Sequence, residues 1–301
     1  MHISDRFEGC IIGGAIGDAW GSSVENKKKE AENVAYLFGR PKQKTADWAI
    51  TDDTQLILAT CESIIGNNIS PEILGTNFIR YYKERKLTSI GSSTLKAIRE
   101  LEIGGHWSQV GRTGEFAAGN GAAMRIAPVA FLKNVSRKLI EDLVKITHRN
   151  DEAYVGALCV VLSIREILQN NWMGETNLLV MLIEQIPDTR IRDRLIEINS
   201  MKNSATIAEV SKIGNTGYVV DSIPFAIFSA TQMPRIGLTK MYEEIILSGG
   251  DTDTNASIAG QIAGALTGIH NLPINLINKL KELNDFNWIK RIIEETKKQI
   301  S

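Results

Sequence analysis

Ser248-Gly249-Gly250-Asp251-Thr252-Asp253-Thr254-Asn255 leads directly into Ala256, Ile258, Ala259, Ile262, Ala263 and Leu266. The apolar positions recur at helical spacing, and their small side chains permit close packing against neighbours. The stretch therefore reads as a buried helix whose loop and first turn carry Asp251, Asp253 and Thr254. A helix N-terminus favours negative charge, but capping needs one acceptor, not three. The surplus asks for a cation. Far upstream, Thr51-Asp52-Asp53-Thr54 precedes a second helical run with Leu56, Ile57, Cys61, Ile64 and Ile65. Asp52, Asp53, Asp251 and Asp253 brought together would repel unless paired or metallated. Hard oxygen donors of this kind suit Mg²⁺ or Mn²⁺ rather than zinc. The residues alone leave a second reading open, two unrelated caps on the surface.

Working outward, helical patterns fill most of the chain. An opening helix is expected over residues 5–20, rich in Gly9, Gly13, Gly14, Ala15, Gly17 and Ala19. Repeated glycine in a helix costs ~1 kcal/mol each relative to alanine, which implies tight packing or close approach to a ligand. Ser70-Pro71 marks another helix start, an N-cap followed by proline at the first helical position. Short helices are expected over 91–102, 122–132, 136–147, 151–169, 175–186, 189–200, 218–231, 239–247, 255–268, 273–282 and 286–299. Residues 26–47 are polar, and Lys27, Lys28 and Lys29 read as a solvated loop. Convincing period-2 strands are absent; Val219, Val220 and Ile223 favour helix. With no linker and no fixed-period repeat, the expectation is all-α, one multi-helix domain over residues 1–301.

Bulk composition narrows the function classes. The 301 residues are 43% hydrophobic and 23% charged, ordinary for a globular protein. A formal net charge of -1 gives no general attraction to nucleic acid or anionic lipid, so neither is expected as a partner. Cys10, Cys61 and Cys159 lie in apolar helical stretches and read as buried small hydrophobes. There is no CxxC, which argues against zinc and a disulfide framework. No signal peptide is visible, and no uncharged apolar run reaches the ~18 residues needed to span a membrane. A cytoplasmic monomer is expected.

Three further places can do chemistry. Glu25 follows the glycine-rich helix and lacks a helical Lys or Arg partner; taken by itself it reads first as a plain surface glutamate. Residues 104–121 form a long glycine-rich passage, and Gly119-Asn120-Gly121-Ala122-Ala123-Met124-Arg125 offers free N–H groups to an anion at a helix start. It does not match a formal phosphate loop. His148 stands at a helix end, where a C-terminal cap and a functional role are both open. Asp18 can serve as a cap or hold a turn.

These segments together resemble the ADP-ribosylglycohydrolase family. The resemblance rests on residues 13–21 with Glu25, then 51–54, then 119–125, then Thr147-His148, then 249–254, in the family's order and spanning residues 9–268. It implies an all-α fold and a centre of two Mg²⁺ ions, with Mn²⁺ as an alternative. By motif match, Thr51, Asp52, Asp53 and Asp253 would hold one ion, and Asp251, Asp253 and Thr254 the other, with Asp253 bridging. Glu25, with Asp52 and Asp53, would carry the acid–base chemistry. Gly119, Asn120, Gly121, Met124 and His148 would line the substrate. The implied activity is hydrolysis of the bond between ADP-ribose and an acceptor, a mono-ADP-ribosylated protein side chain with arginine favoured. A non-catalytic ADP-ribose-binding protein and a hydrolase of a small ADP-ribose derivative are the alternatives. Two departures stand out: the segment between Glu25 and Thr51 is short and lysine-rich, and Trp20 occupies a position often held by a small apolar residue.

Overall fold

A computed structural model describes residues 1–38, 48–66, 69–175, 177–201 and 204–300, with side chains for all of these except 26–38. Fourteen α-helices occur among them: α1 (Ile3–Phe38), α2 (Asp52–Ile64), α3 (Pro71–Lys83), α4 (Ser92–Glu102), α5 (Arg137–Lys145), α6 (Asp151–Leu168), α7 (Leu178–Gln185), α8 (Arg190–Asn199), α9 (Ile207–Val210), α10 (Val219–Ile236), α11 (Leu238–Ser248), α12 (Thr252–Thr267), α13 (Ile274–Lys281) and α14 (Phe286–Ile300). The fold is all-α, as expected. Among the described residues, extended pairing is confined to β1 (Arg112–Thr113), which lies parallel to β2 (His148–Arg149), and one isolated bridge between Gly119 and Tyr218.

The centre of the molecule is the pair α1 and α12. Gly9, Gly13, Gly17 and Gly21 recur every four residues and so share one face of α1. A Cβ on Gly13 would stand 2.3 Å from the Gly260 carbonyl oxygen, and a Cβ on Gly260 2.3 Å from that of Gly13. Gly9 meets Gly264, Gly17 meets Ala256, and Gly21 meets Asp253. The numbers run in opposite directions, so the helices are antiparallel with their backbones in contact. Tight packing is thus what the repeated glycines serve at these four positions. The phenol of Tyr242 on α11 donates to Gly13 O at 2.7 Å and ties the next helix to the pair.

Three local expectations change. The opening helix runs on to Phe38 instead of ending near residue 20. The backbone at Lys27, Lys28 and Lys29 is therefore helical, while their side chains and residues 39–47 lie outside the described residues. Residues 122–132 form no α-helix; two 3₁₀ turns, Asn120–Ala122 and Ala127–Phe131, stand there instead. Pro128 has no N–H to donate to the preceding turn, and the ladder breaks ahead of it. Val219, Val220 and Ile223 do open a helix, α10, which continues through Pro224 and Pro234. Ser70 caps α3 as read, accepting from Ile73 N. The three cysteines are buried and free, and no helix among the described residues is long and apolar enough to cross a membrane.

Candidate active site

The N-terminus of α2 is held from outside by a side chain of α1. Asp18 is fully buried. Its Oδ2 accepts from Thr51 N at 2.9 Å, Thr54 N at 3.1 Å and Thr54 Oγ1 at 2.5 Å, and its Oδ1 accepts from Thr51 Oγ1 at 2.7 Å. The two N–H groups belong to a helix start, where backbone donors lack intrahelical partners; Asp18 serves them from α1, alongside the local cap in which Thr51 Oγ1 accepts from Asp53 N at 3.3 Å. Asp18 therefore holds a turn, the second half of its sequence reading, and the turn it holds carries Asp52 and Asp53.

The N-terminus of α12 is built the same way. Gly249 and Gly250 adopt φ of +72° and +78°, a region that favours glycine. Asn215 pins this bend: its Nδ2 donates to Ser248 O and Gly249 O, and its carbonyl accepts from Asp251 N at 3.0 Å and Asn255 Nδ2 at 2.7 Å. Glu25 reaches over from α1, its Oε1 accepting from Thr252 N at 2.6 Å and Thr252 Oγ1 at 2.9 Å. It is half-buried, not a plain surface glutamate.

The two acidic turns meet. Thr254 Oγ1 donates to Asp53 Oδ2 at 3.1 Å across the junction of α12 and α2. Carboxylate oxygens of Asp18, Asp53 and Asp253 lie within 4.8 Å of one another, and so do those of Glu25, Asp251 and Asp253. Asp253 is common to both groups. Asp52 stands outside them, with its Oδ2 accepting from Gly91 N at 3.2 Å. Two unrelated surface caps are thereby excluded, since Thr51, Asp52, Asp53 and Thr254 are all buried.

Such crowding is costly for ionised carboxylates. Asp253 is pushed up to about 9, first by burial and then by Asp251. Burial, opposed by the Gly91 N–H, lifts Asp52 to about 7. Asp53 is held well above the carboxylate range by burial and then Asp253. Burial also raises Asp18, against the hydrogen bonds from Thr54 and Thr51. Protons or cations can relieve this repulsion. Asp53 Oδ1 is buried with no hydrogen-bond partner among the described residues, and the donors around it are all oxygens. That set fits a hard divalent cation.

The glycine-rich segment and His148 face the same ground. A cavity of ≈ 330 Å³ is lined by Glu25, Thr51, Asp52, Asp53, Asp251, Asp253 and Thr254 together with Gly119, Asn120, Gly121, Met124 and His148. Every residue singled out from the sequence as a site residue lies in it. Asn120 Nδ2 donates to Asp251 Oδ2 at 2.7 Å and links the two sets. Gly119 and Gly121 have no room for a side chain beyond ordinary contact: a Cβ would stand 3.2 Å and 3.1 Å from the His148 ring. His148 is buried beside β1 and is not a cap on α5, which ends at Lys145. Trp20, the departure from pattern, stacks on Trp48 with centroids 5.9 Å apart.

Some of the site escaped the sequence reading. Ser89, Gly91, Ser92, Ser93 and Thr94, ahead of and within the first turn of α4, line the cavity. Their small polar composition was the available signal. Ser89 carries a φ of +57°, uncommon for a residue with a Cβ. Asn215 braces the bend through both its side-chain amide and its backbone carbonyl, and no local pattern advertises it.

Comparison with known proteins agrees with this geometry. The family model described as ADP-ribosylglycohydrolase matches residues 1–300. An ADP-ribosylarginine hydrolase of Pseudomonas putida is 26% identical over 291 residues, covering 92% of this chain and 74% of that protein. ADP-ribosylhydrolase ARH3 of Homo sapiens is 25% identical over 320 residues, covering 89% and 87%. A solved chain from an ADP-ribosylglycohydrolase-related protein complex superposes with a TM-score of 0.70 at 22% identity over 99% of both chains, a likeness that speaks for the fold alone. With its whole length accounted for by one family model, the chain belongs to the ADP-ribosylglycohydrolase family.

Proposed function

We propose that this protein hydrolyses the glycosidic bond joining ADP-ribose to an acceptor, with ADP-ribosylated arginine as the first substrate to test. The observation that carries the reading is the junction of the acidic turns, Thr254 Oγ1 to Asp53 Oδ2 at 3.1 Å, inside the cavity that also holds residues 119–121 and His148. A relative named as an ADP-ribosylarginine hydrolase supports the choice of acceptor.

Thr51, Asp52, Asp53 and Asp253 are the proposed holders of one divalent cation, Mg²⁺ or Mn²⁺, and Asp251, Asp253 and Thr254 of the other. Bound there, the ions would supply Lewis-acid stabilisation of charge beside the reacting sugar. The chain's own residues do the rest. Gly119 and Gly121, lacking Cβ atoms, let a ligand approach the backbone and the His148 ring. Asn120 fixes Asp251, and Asp18 fixes the turn of Asp52 and Asp53. Glu25 is anchored through Oε1 by Thr252, while its Oε2 has no partner among the described residues. That oxygen is the proposed site of proton transfer, from the attacking water or to the leaving group. Glycosidic cleavage uses an acid and a base, and Asp52 and Asp53 are the carboxyls available for the complementary role.

The test is release of ADP-ribose from arginine-linked and serine-linked peptides and from a small ADP-ribose derivative, with Mg²⁺ and with EDTA. Mg²⁺-dependent release from the arginine peptide is expected. Glu25→Gln should lower the rate by ~10²–10⁴ while calorimetry still detects ADP-ribose binding. Binding without release from any linkage would instead make this a non-catalytic ADP-ribose-binding protein. Unimpaired turnover in Glu25→Gln would remove that residue from the mechanism.

A further inference from the structure

Beneath the glycine-rich segment lies a buried cation that the proposed chemistry does not use. Arg125 is 1% exposed and forms no ion pair among the described residues. Its guanidinium is held by neutral acceptors: Nη1 donates to Gly121 O, and Nη2 donates to Leu143 O at 3.2 Å and to Thr147 Oγ1 at 3.0 Å. Thr147, itself fully buried, has its Oγ1 2.7 Å from His148 Nδ1. Arg125, Thr147 and His148 thus form a chain of three side chains ending at the cavity.

Donor arithmetic decides how the chain is polarised. Arginine only donates, and a hydroxyl has one hydrogen to give and lone pairs to accept. Thr147 Oγ1 accepts from Arg125, and its own hydrogen has one acceptor within reach among the described residues, Nδ1 of His148. The opposite arrangement, Nδ1–H donating to Thr147, leaves the hydroxyl hydrogen buried without an acceptor, a costly state. The imidazole is neutral at physiological pH, because burial and then Arg125 and Arg112 push it down to about 3. A neutral ring carries one N–H. Nε2 has no protein partner among the described residues, and it lies beside Gly119 and Gly121, where a Cβ on Gly119 would approach it to 3.2 Å.

We infer that Arg125, acting through the Thr147 hydroxyl, fixes His148 as the Nε2–H tautomer and so makes it a hydrogen-bond donor to an oxygen of the bound ligand. Arg125 and Thr147 are positioning residues, since neither N–H nor hydroxyl of theirs is directed into the cavity. The tautomer assignment stands on this chain's contacts and the burial of the ring; only the identity of the ligand oxygen, on a ribose or a phosphate, rests on the proposed function.

Long-range ¹H–¹⁵N spectra of the ligand-free protein read the tautomer directly, with His148→Gln assigning the ring among the four histidines of the sequence. A protonated, pyrrole-type Nε2 and an unprotonated, pyridine-type Nδ1 are expected. Thr147→Val removes the hydroxyl that donates to Nδ1, so the Nδ1 ¹⁵N resonance should move toward that of an unbonded pyridine-type nitrogen, and ADP-ribose binding should weaken by about tenfold, the worth of one hydrogen bond. Thr147→Ser should restore both. An Nδ1–H tautomer in the parent protein, or an unchanged ring in Thr147→Val, would overturn the inference. Should a variant not fold, the parent spectrum alone decides. The expected tautomer with no ADP-ribose binding would sink the proposed substrate and leave the assignment of His148 intact.

Discussion

Replacing Gly17 by alanine tests whether backbone contact between α1 and α12 positions the site. The new Cβ would stand 2.1 Å from the Ala256 carbonyl oxygen and 2.4 Å from its carbon. A relaxed carbon–oxygen contact is ~3.3 Å or longer, so the helices must part by about 1 Å or tolerate the overlap. The three nearest atoms are all backbone, so the overlap cannot be relieved by a side-chain rotation. Helix propensity acts in the other direction, since alanine is favoured over glycine by ~1 kcal/mol in a helix interior. Overpacking in cores costs ~1–3 kcal/mol, occasionally more, and backbone against backbone belongs at or above the upper end. The net expectation is a loss of ~2 kcal/mol or more. At roughly 2 °C per kcal/mol for a chain of this size, the melting temperature falls by ~4 °C or more. Gly75 on α3 is the internal control, because there a Cβ would meet Leu101 Cδ1 at 3.4 Å, an ordinary contact. Propensity alone operates at that position, so Gly75→Ala should gain ~0.5–1 kcal/mol. Urea unfolding of chelator-treated protein measures both. Gly17→Ala also draws Asp18 and Glu25 away from α12, so Mg²⁺ affinity should drop with stability. If both alanines shift stability in the same direction, the claim of a backbone-to-backbone face is wrong.

Two further predictions follow from the carboxyls. Asp253 and Asp52 titrate at about 9 and about 7 in the folded chain, against ~4 when unfolded. Folding therefore takes up protons between these values, and the stability these groups contribute in EDTA should be greatest at ~pH 4 and fall as the pH climbs through ~7 to ~9. Mg²⁺ affinity should run the opposite way, because ligands must lose protons to bind; thermal melts across that range with EDTA and with Mg²⁺ read both, and a melting temperature that rises in EDTA contradicts the assignment. Asp18→Asn turns an amide toward the N–H groups and hydroxyls of Thr51 and Thr54. It should cost ~2–3 kcal/mol of stability and weaken Mg²⁺ binding by about 10–100-fold, measured by unfolding and by calorimetric titration; a variant matching the parent in both would show that the turn needs no support from α1.

The helices were legible because apolar residues at a 3.6 period announce a buried face, as along residues 255–268. The acidic turns were legible because Asp251, Asp253 and Thr254 exceed what a cap requires. What the sequence does not display is the pairing of distant groups. Thr254 and Asp53 are far apart along the chain, and nothing local to either says that a hydroxyl will meet a carboxylate. The repeated glycines showed that something comes close, but not that it is the backbone of α12. The helical reading of residues 122–132 failed for a local reason, the missing donor of Pro128, while Arg125 turns inward just ahead of it. Glu25 looked like a surface residue because its partner is the backbone N–H of Thr252, a group every residue but proline carries.

One relation ties these observations together. Asp18 serves the start of α2 and Glu25 the start of α12, and both side chains come from α1. They are seven residues apart, nearly two turns, which places them on one side of α1 and ~10 Å apart along it. The helix thus acts as a spacer: it sets where the two acidic turns stand relative to each other. Gly17, next to Asp18, and Gly21, between the two carboxyls, bring the α12 backbone into contact, so Glu25 can reach Thr252 N at 2.6 Å while Asp18 stays buried against Thr51 and Thr54. A side chain at either glycine would leave the carboxyls in place on α1 but move one of the turns they hold. The close packing of two helices is for that reason inseparable from the geometry of the acidic centre, and stability and metal affinity should fall together along this face.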